Sequence, residues 1–156
     1  MASGDPVFVD AGVFIGALLK DDSRHQESRP LVEAARRGEA SWCTSAGVLA
    51  EVYGALTWVG AQPPQAPDIA AEAVRLLVAE PSAIRVLDTG RAASLRMFDL
   101  VARYALTGRR VHDARHAATA LEAGVRSVLT YDTDDWRVFE PEGIVIAGPP
   151  SVLPVS

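Results

Sequence analysis

Val7-Phe8-Val9-Asp10-Ala11-Gly12-Val13-Phe14-Ile15-Gly16-Ala17-Leu18 is the stretch that decides the fold of this chain. Val7, Phe8 and Val9 are β-branched or aromatic, as a short buried strand requires. From Ala11 the spacing changes. Val13, Phe14, Ala17 and Leu18 fall at helical intervals, which predicts a helix over 11–20. At the joint stands Asp10, the only ionisable residue between Pro6 and Leu19. A strand that runs directly into a helix is the opening unit of an α/β fold with parallel strands.

The alternation continues along the chain. A turn at 21–23 caps a helix that Gly38 ends, and 41–43 reads as a second strand. Thr44 or Ser45 then caps an apolar helix to residue 60, and three prolines make 61–67 a loop. Asp68 is the expected cap of a helix to residue 79, before a third strand at 84–87. Asp88-Thr89 caps the next helix, whose Leu95, Phe98, Val101 and Ala105 share one face. Residues 112–123 are helical with Gly124 as the C-terminal glycine, and 127–130 and 143–147 are the last two strands. The expectation is one α/β domain over 1–148, followed by a proline-rich tail over 149–156. Its centre is a mostly parallel sheet of about five strands, with helices on both faces. In such sheets ligands bind beyond the carboxyl ends of the strands.

Composition narrows the function. The 156 residues suffice for one ordinary domain, and 49% apolar with 22% charged residues indicates a globular chain. The net charge of −5 excludes a uniformly basic nucleic-acid binder, though not a local basic patch. Cys43 is the only cysteine, which excludes an intrachain disulfide and a cysteine-based zinc site. The first apolar run lacks a positively charged leader, and no stretch has the length of a membrane helix, so a cytoplasmic location is expected.

Four carboxylates stand where apolar residues are the rule. Glu51 is the only ionisable residue from Ser41 to Pro67 besides Cys43 and Tyr53, and Asp132 follows its strand much as Asp10 does. Asp113 opens a helix that is otherwise alanine-rich inside. Each has an ordinary alternative: Asp10 as a helix cap, Asp113 as a carboxylate favoured by the helix dipole, Asp132 as a turn residue. Glu51, in mid-helix, caps nothing. Asp10 and Asp132 both leave strand ends, and parallel topology puts those ends on one edge. Carboxylates gathered there repel one another unless a hard divalent cation such as Mg²⁺ or Mn²⁺ sits among them. That reading requires Asp10, Glu51 and Asp113 to lie together and not to be tied up by arginines.

The pattern over 7–147 resembles the PIN domain, and within it the VapC toxins of bacterial toxin–antitoxin pairs. The resemblance is carried by Val9-Asp10-Ala11-Gly12-Val13-Phe14-Ile15, by Ser45 with Glu51 six residues on, by Val111-His112-Asp113-Ala114-Arg115-His116-Ala117-Ala118-Thr119-Ala120, and by Leu129-Thr130-Tyr131-Asp132-Thr133-Asp134-Asp135-Trp136. It implies an Mg²⁺-dependent endoribonuclease (Mn²⁺ as a substitute) with Asp10, Glu51, Asp113 and Asp132 as the catalytic, metal-holding quartet and Asp135 as an auxiliary ligand. It also implies an RNA substrate, a cognate antitoxin whose C-terminal segment covers the site, and a homodimer. Gly12 departs from the Asn or Ser common in the family, and Trp136 from the usual Phe.

Arg109, Arg110, Arg115 and His116 flank Asp113, with Arg103 one helix earlier, and form a candidate RNA-binding patch. The plainer reading is that arginine is simply the cation of this chain, since Lys20 is the only lysine. His116 reads either as a site residue or as a satisfied core histidine. Trp42, Trp58 and Trp136 read as core, unless an exposed ring stacks a base. The helix over 45–60 is either a docking surface or core. The alternative to an enzyme is a non-catalytic PIN-like module that binds RNA or protein. A phosphotransferase using Asp10 lacks the second Asp expected at position 12, and a dinucleotide fold lacks a Gly-rich turn.

Overall fold

Val7–Val9 pairs on both sides, with Trp42 and Cys43 and with Ser127 to Leu129, and so becomes the middle of the sheet. The computed structural model describes residues 4–61 and 63–155; the first three residues of the expected domain, Gln62 in the proline loop and Ser156 of the tail lie outside them. The strands are β1 (Val7–Val9), β2 (Trp42–Ser45), β3 (Arg85–Leu87), β4 (Ser127–Leu129) and β5 (Val145–Gly148). All are parallel, in the order β3-β2-β1-β4-β5. Every residue of β2 is buried, which requires cover on both faces of the sheet.

The helices are α1 (Ala11–Leu18), α2 (His25–Arg36), α3 (Ala46–Thr57), α4 (Pro67–Val78), α5 (Arg91–Arg103), α6 (Val111–Glu122) and α7 (Thr133–Arg137). Phe8, Val9, Phe14, Val48, Val52, Leu56, Val128 and Trp136 form the heart of the core. The chain builds outward from β1 through β2 to β3 and then returns to the other side for β4 and β5. The strand order therefore reverses between β1 and β4, and the crevice at such a reversal is where open α/β sheets bind ligands. Asp10 follows β1 there, and Thr130 to Asp132 follow β4.

Several local expectations change. Ser45, not Thr44, caps α3, its Oγ accepting from Val48 N at 3.2 Å, while Thr44 donates to Val9 O across the sheet. Asp22 leaves α2 uncapped and instead accepts from the backbone and side chain of Arg24. Ala66 precedes α4 with Pro67 at its first position, so Asp68 sits inside the first turn. Gly90 occupies the cap position of α5, and Thr89 bonds Thr119. The apolar stripe of α5 faces inward only in part: Val101 packs against the core, Leu95 and Phe98 are 62% and 59% exposed, and Ala93 and Leu100 make the buried contact. Beyond β5, Pro149 is buried and Ser151 bonds Glu27 through its N and its Oγ, at 2.9 and 2.7 Å, fixing the start of the tail against α2.

Candidate metal centre

Asp10 is the hub of the crevice. Its backbone amide bonds Leu129 O at 3.0 Å, the parallel pairing that sets it beside the end of β4. Both side-chain oxygens are engaged. Oδ1 accepts from Ala11 N at 2.9 Å, so the helix-cap reading of Asp10 holds as well, and Oδ2 accepts from Thr130 Oγ1 at 2.8 Å and Trp136 Nε1 at 3.0 Å. Three donors keep this carboxylate, only 6% exposed, at a fixed orientation without any cation. Thr130 also accepts from Asp132 N at 2.9 Å, so one hydroxyl ties the Asp10 carboxylate to the start of α7.

Around this hub the other acids divide into two sets. Asp113 lies in the first turn of α6, Asp132 stands just before α7 without a side-chain capping bond, and Asp135 follows one turn on. Burial pushes the Asp113 carboxyl above its ordinary range; Arg110 draws it down, while Asp135 and Asp10 add repulsion. Asp132 is raised by desolvation first, then by the charges of Asp10, Asp135 and Asp113, with Arg24 opposing. Mutual repulsion of this kind is what a divalent cation relieves.

Glu51 belongs to the second set. Its helix turns Val48, Val52 and Leu56 into the core, and Glu51 stands on the opposite, half-exposed side, so it is not the buried carboxylate that its apolar surroundings predict. His116 Nε2 donates to Glu51 Oε1 at 2.7 Å. Partial burial raises the Glu51 carboxyl, but that bond and the basic groups nearby, His112 and Arg115 among them, outweigh it, and the group ends below its ordinary range. A carboxylate oxygen of Asp10, one of Glu51 and a ring nitrogen of His116 all lie within 4.8 Å of one another. The arrangement can therefore hold a metal ion, and its carboxylate oxygens suit a hard cation.

The arginines are only partly where the sequence suggests. Arg110 donates through Nε to Asp113 Oδ2 at 2.8 Å and through Nη2 to Asp135 O at 3.1 Å, so it bridges α6 and α7 from the solvent side. Asp113 is thus held by an arginine through one oxygen, while Oδ1 has no hydrogen-bond partner among the described residues. Asp10 and Glu51 are bonded by none. Arg103 is drawn away to Glu142 at 2.6 Å. His116 is buried and leaves the surface patch altogether. Arg109, Arg115 and His112 line an open groove of about 880 Å³ beside Glu51 and Asp113. Gly47, Ala50, Gly54 and Ala55 line it from α3, and Trp58, 65% exposed, lines it too. The helix over 45–60 is therefore both core and surface, on opposite faces, and Trp58 is not core. Gly47 lets Arg115 cross α3, because a Cβ there would stand 2.5 Å from its Nη2.

Arg24 is a site neighbour that sequence reasoning missed. Asp22 holds its Nε and Nη2 at 2.8 Å each, its guanidinium lies 5.5 Å from the Tyr131 ring centre, and its charge reaches Asp132. Its Nη1 would stand 2.8 Å from a Cβ on Gly12. Gly12, singled out as the departure from the family pattern, was the available signal: the space of a side chain is taken by Arg24. Cys43 is not part of the chemistry; burial pushes its thiol up to about 11, and it stays protonated.

The family model for the PIN domain matches residues 7–139 of the chain. No curated protein matches it. Among solved structures, Mycobacterium tuberculosis VapC20, described as a sarcin-ricin-loop-cleaving toxin, gives a TM-score of 0.68 at 19% identity, over 92% of this chain and 99% of that one. A toxin–antitoxin complex from Klebsiella pneumoniae gives 0.56 at 19% identity, over 95% and 96%. VapBC2 from Rickettsia felis, bound to a DNA fragment from its promoter, gives 0.58 at 14% identity, over 85% and 92%. At these identities the likeness is one of fold.

Proposed function

Because this chain belongs to the PIN domain family, we propose that it is a metal-dependent endoribonuclease acting as the toxin of a toxin–antitoxin pair. The geometry that supports the reading is that Asp10 and Asp132 leave neighbouring strand ends and share Thr130, that Arg110 joins Asp113 to Asp135, and that a carboxylate oxygen of Asp10 lies within 4.8 Å of one of Glu51. Asp10, Glu51, Asp113 and Asp132 would hold Mg²⁺ or Mn²⁺, with Asp135 as an auxiliary carboxylate. Such an ion supplies Lewis acidity toward a phosphodiester and a bound water of lowered pKa. The chain's own part is positioning. Thr130, Trp136 and the Ala11 amide keep Asp10 in place, and Thr130 ties it to Asp132. Arg110, on the solvent edge of Asp113, is exchangeable: it can move from that carboxylate to an RNA phosphate. Arg109 and Arg115 offer further phosphate contacts along the groove, and Arg24, over Gly12 and near Asp132, offers another.

Two of the solved neighbours are toxin–antitoxin assemblies, which supports a cognate antitoxin as partner; the groove beside Glu51 is the surface assigned to it here. Exposed Leu95 and Phe98 on α5 are offered to a second copy of the chain, as a homodimer. A cytoplasmic location accords with the helices, none of which is long and apolar enough to cross a membrane among the described residues.

The test is cleavage of structured and single-stranded RNA by the wild type and by Asp10→Asn, with and without EDTA. The expected result is cleavage by the wild type alone, lost on chelation and restored by Mg²⁺ or Mn²⁺. The loss in Asp10→Asn should exceed about 100-fold, more than removal of a supporting partner costs. Equal cleavage by both proteins, or cleavage in EDTA, overturns the metal reading.

A further inference from the structure

His116 is 1% exposed, sits one turn after Asp113 on α6, and packs with its ring centre 6.3 Å from that of Phe8. Its Nε2 reaches out of the core to Glu51 Oε1 at 2.7 Å, and it is the only side chain that bonds Glu51 among the described residues. A half-exposed glutamate in mid-helix has several rotatable bonds, and without such an anchor its carboxylate would wander through solvent. Resting on the metal-dependent reading above, we infer that His116 is a positioning residue: its Nε2–H fixes Glu51 Oε1 beside Asp10 and leaves Oε2 for the cation.

The alternative use of the same ring is direct ligation through Nε2, and the buried side of the imidazole decides against it. A carboxylate only accepts, so the observed contact puts a proton on Nε2. His116 Nδ1 is buried without a hydrogen-bond partner among the described residues. Were Nε2 the ligand, the neutral ring would carry its proton on Nδ1, a buried donor with no acceptor among the described residues, and would give up the bond to Glu51 as well. The imidazole therefore supports the ligand from behind, and the donor set stays all-oxygen, suited to Mg²⁺ or Mn²⁺ ahead of Zn²⁺. α6 thereby serves both sets of acids, presenting Asp113 itself and Glu51 through His116.

Calorimetric titration of Mn²⁺ into the metal-free full-length wild type, His116→Leu and His116→Gln tests this, with circular dichroism checking that each variant is folded. His116→Leu should bind Mn²⁺ about 10–100-fold more weakly, and His116→Gln, whose amide N–H can donate in place of Nε2–H, should recover most of the loss. A wild type that binds no Mn²⁺ overturns the metal reading and this inference with it. A wild type that binds beside a His116→Leu that binds equally well overturns the inference alone. Should the leucine variant not fold, ¹⁵N spectra of the wild-type histidines decide: Nε2 of His116 keeps its proton when Mg²⁺ or Zn²⁺ is added, and transfer of that proton to Nδ1 would make His116 a ligand and overturn the positioning role.

Discussion

Around Asp10, burial and neighbouring charge push Asp113 and Asp132 above the ordinary carboxylate range, whereas His116, His112 and Arg115 hold Glu51 below it. The first set is electrostatically strained and the second is satisfied, although both line one crevice. The contrast separates a carboxylate that a protein donor already orients from carboxylates whose mutual repulsion a cation would relieve. Glu51 has a protein donor, His116 Nε2, on one of its oxygens. Asp132 feels three like charges, with Arg24 acting against them. The sign of its pH dependence follows. For the raised pair, the folded state favours the protonated form. Their contribution to stability is complete below the unfolded-state value of about 3.9 and is lost as pH rises through their folded values. Glu51 runs the other way: its contribution is present above its ordinary value and fades as pH falls through the lowered one.

Four substitutions break or sharpen this contrast. The largest effect is expected from Asp113→Ala, which removes a member of the strained set outright. RNA cleavage should fall by more than about 100-fold, and growth arrest on induced expression should disappear while the protein stays folded. Arrest that persists in a well-folded variant would remove Asp113 from the site. Next comes Trp136→Phe, the residue usual in the family, which takes one donor from Asp10 at the hub between the two sets. Leaving that buried oxygen with Thr130 alone should cost about 1–3 kcal/mol in urea unfolding.

Asp132→Asn relieves strain at an exposed position, so its effect is smaller. Tm should rise at pH 7 by about 1–3 °C, as a fraction of a kcal/mol does in a domain of this size, and the gain should vanish as pH approaches 4. Millimolar Mn²⁺ should shrink the same gain by stabilising the wild type. A variant less stable at pH 7 would show that Asp132 is not repelled. The smallest change is Gly12→Ala. A Cβ there meets the mobile end of Arg24, which can shift, so unfolding free energy should move by no more than about 0.5 kcal/mol, while affinity for a labelled single-stranded RNA weakens a few-fold.

How far each half was legible in the sequence differs for a physical reason. Asp10 could be found because an isolated acid next to a β-branched apolar run is costly to bury and therefore conspicuous, and Asp132 because it follows its strand as Asp10 does. Asp113 could be placed at the start of α6, but the helix dipole explains such an acid equally well, and only its neighbours across the crevice make it more. Glu51 was conspicuous for the wrong reason: it sits among apolar residues in the chain, yet α3 turns it away from the core. His116 flanks Asp113 in sequence and reads either as a member of the arginine patch or as a core histidine; it is buried, but spacing along α6 does not say that its ring reaches Glu51. The α5 stripe failed similarly. Periodicity shows that Leu95 and Phe98 share a face, whereas the choice of which face meets α6 was made by Ala93 and Leu100.

By itself the sequence determined what depends on a few neighbouring residues. Those features are the strands and helices in their order, the helix-ending Gly124 with its positive φ, the parallel class of sheet and the acids at the strand ends. Strand and helix periods, glycine's backbone freedom and the cost of burying a charge act over short stretches of chain. Only the tertiary structure decided who meets whom: Thr130 and Trp136 on Asp10, Arg110 across Asp113 and Asp135, Arg24 in the space above Gly12, and His116 behind Glu51. Those pairs are up to 126 residues apart. Contacts of that span are set by the packing of whole helices against the sheet, and no local pattern encodes them.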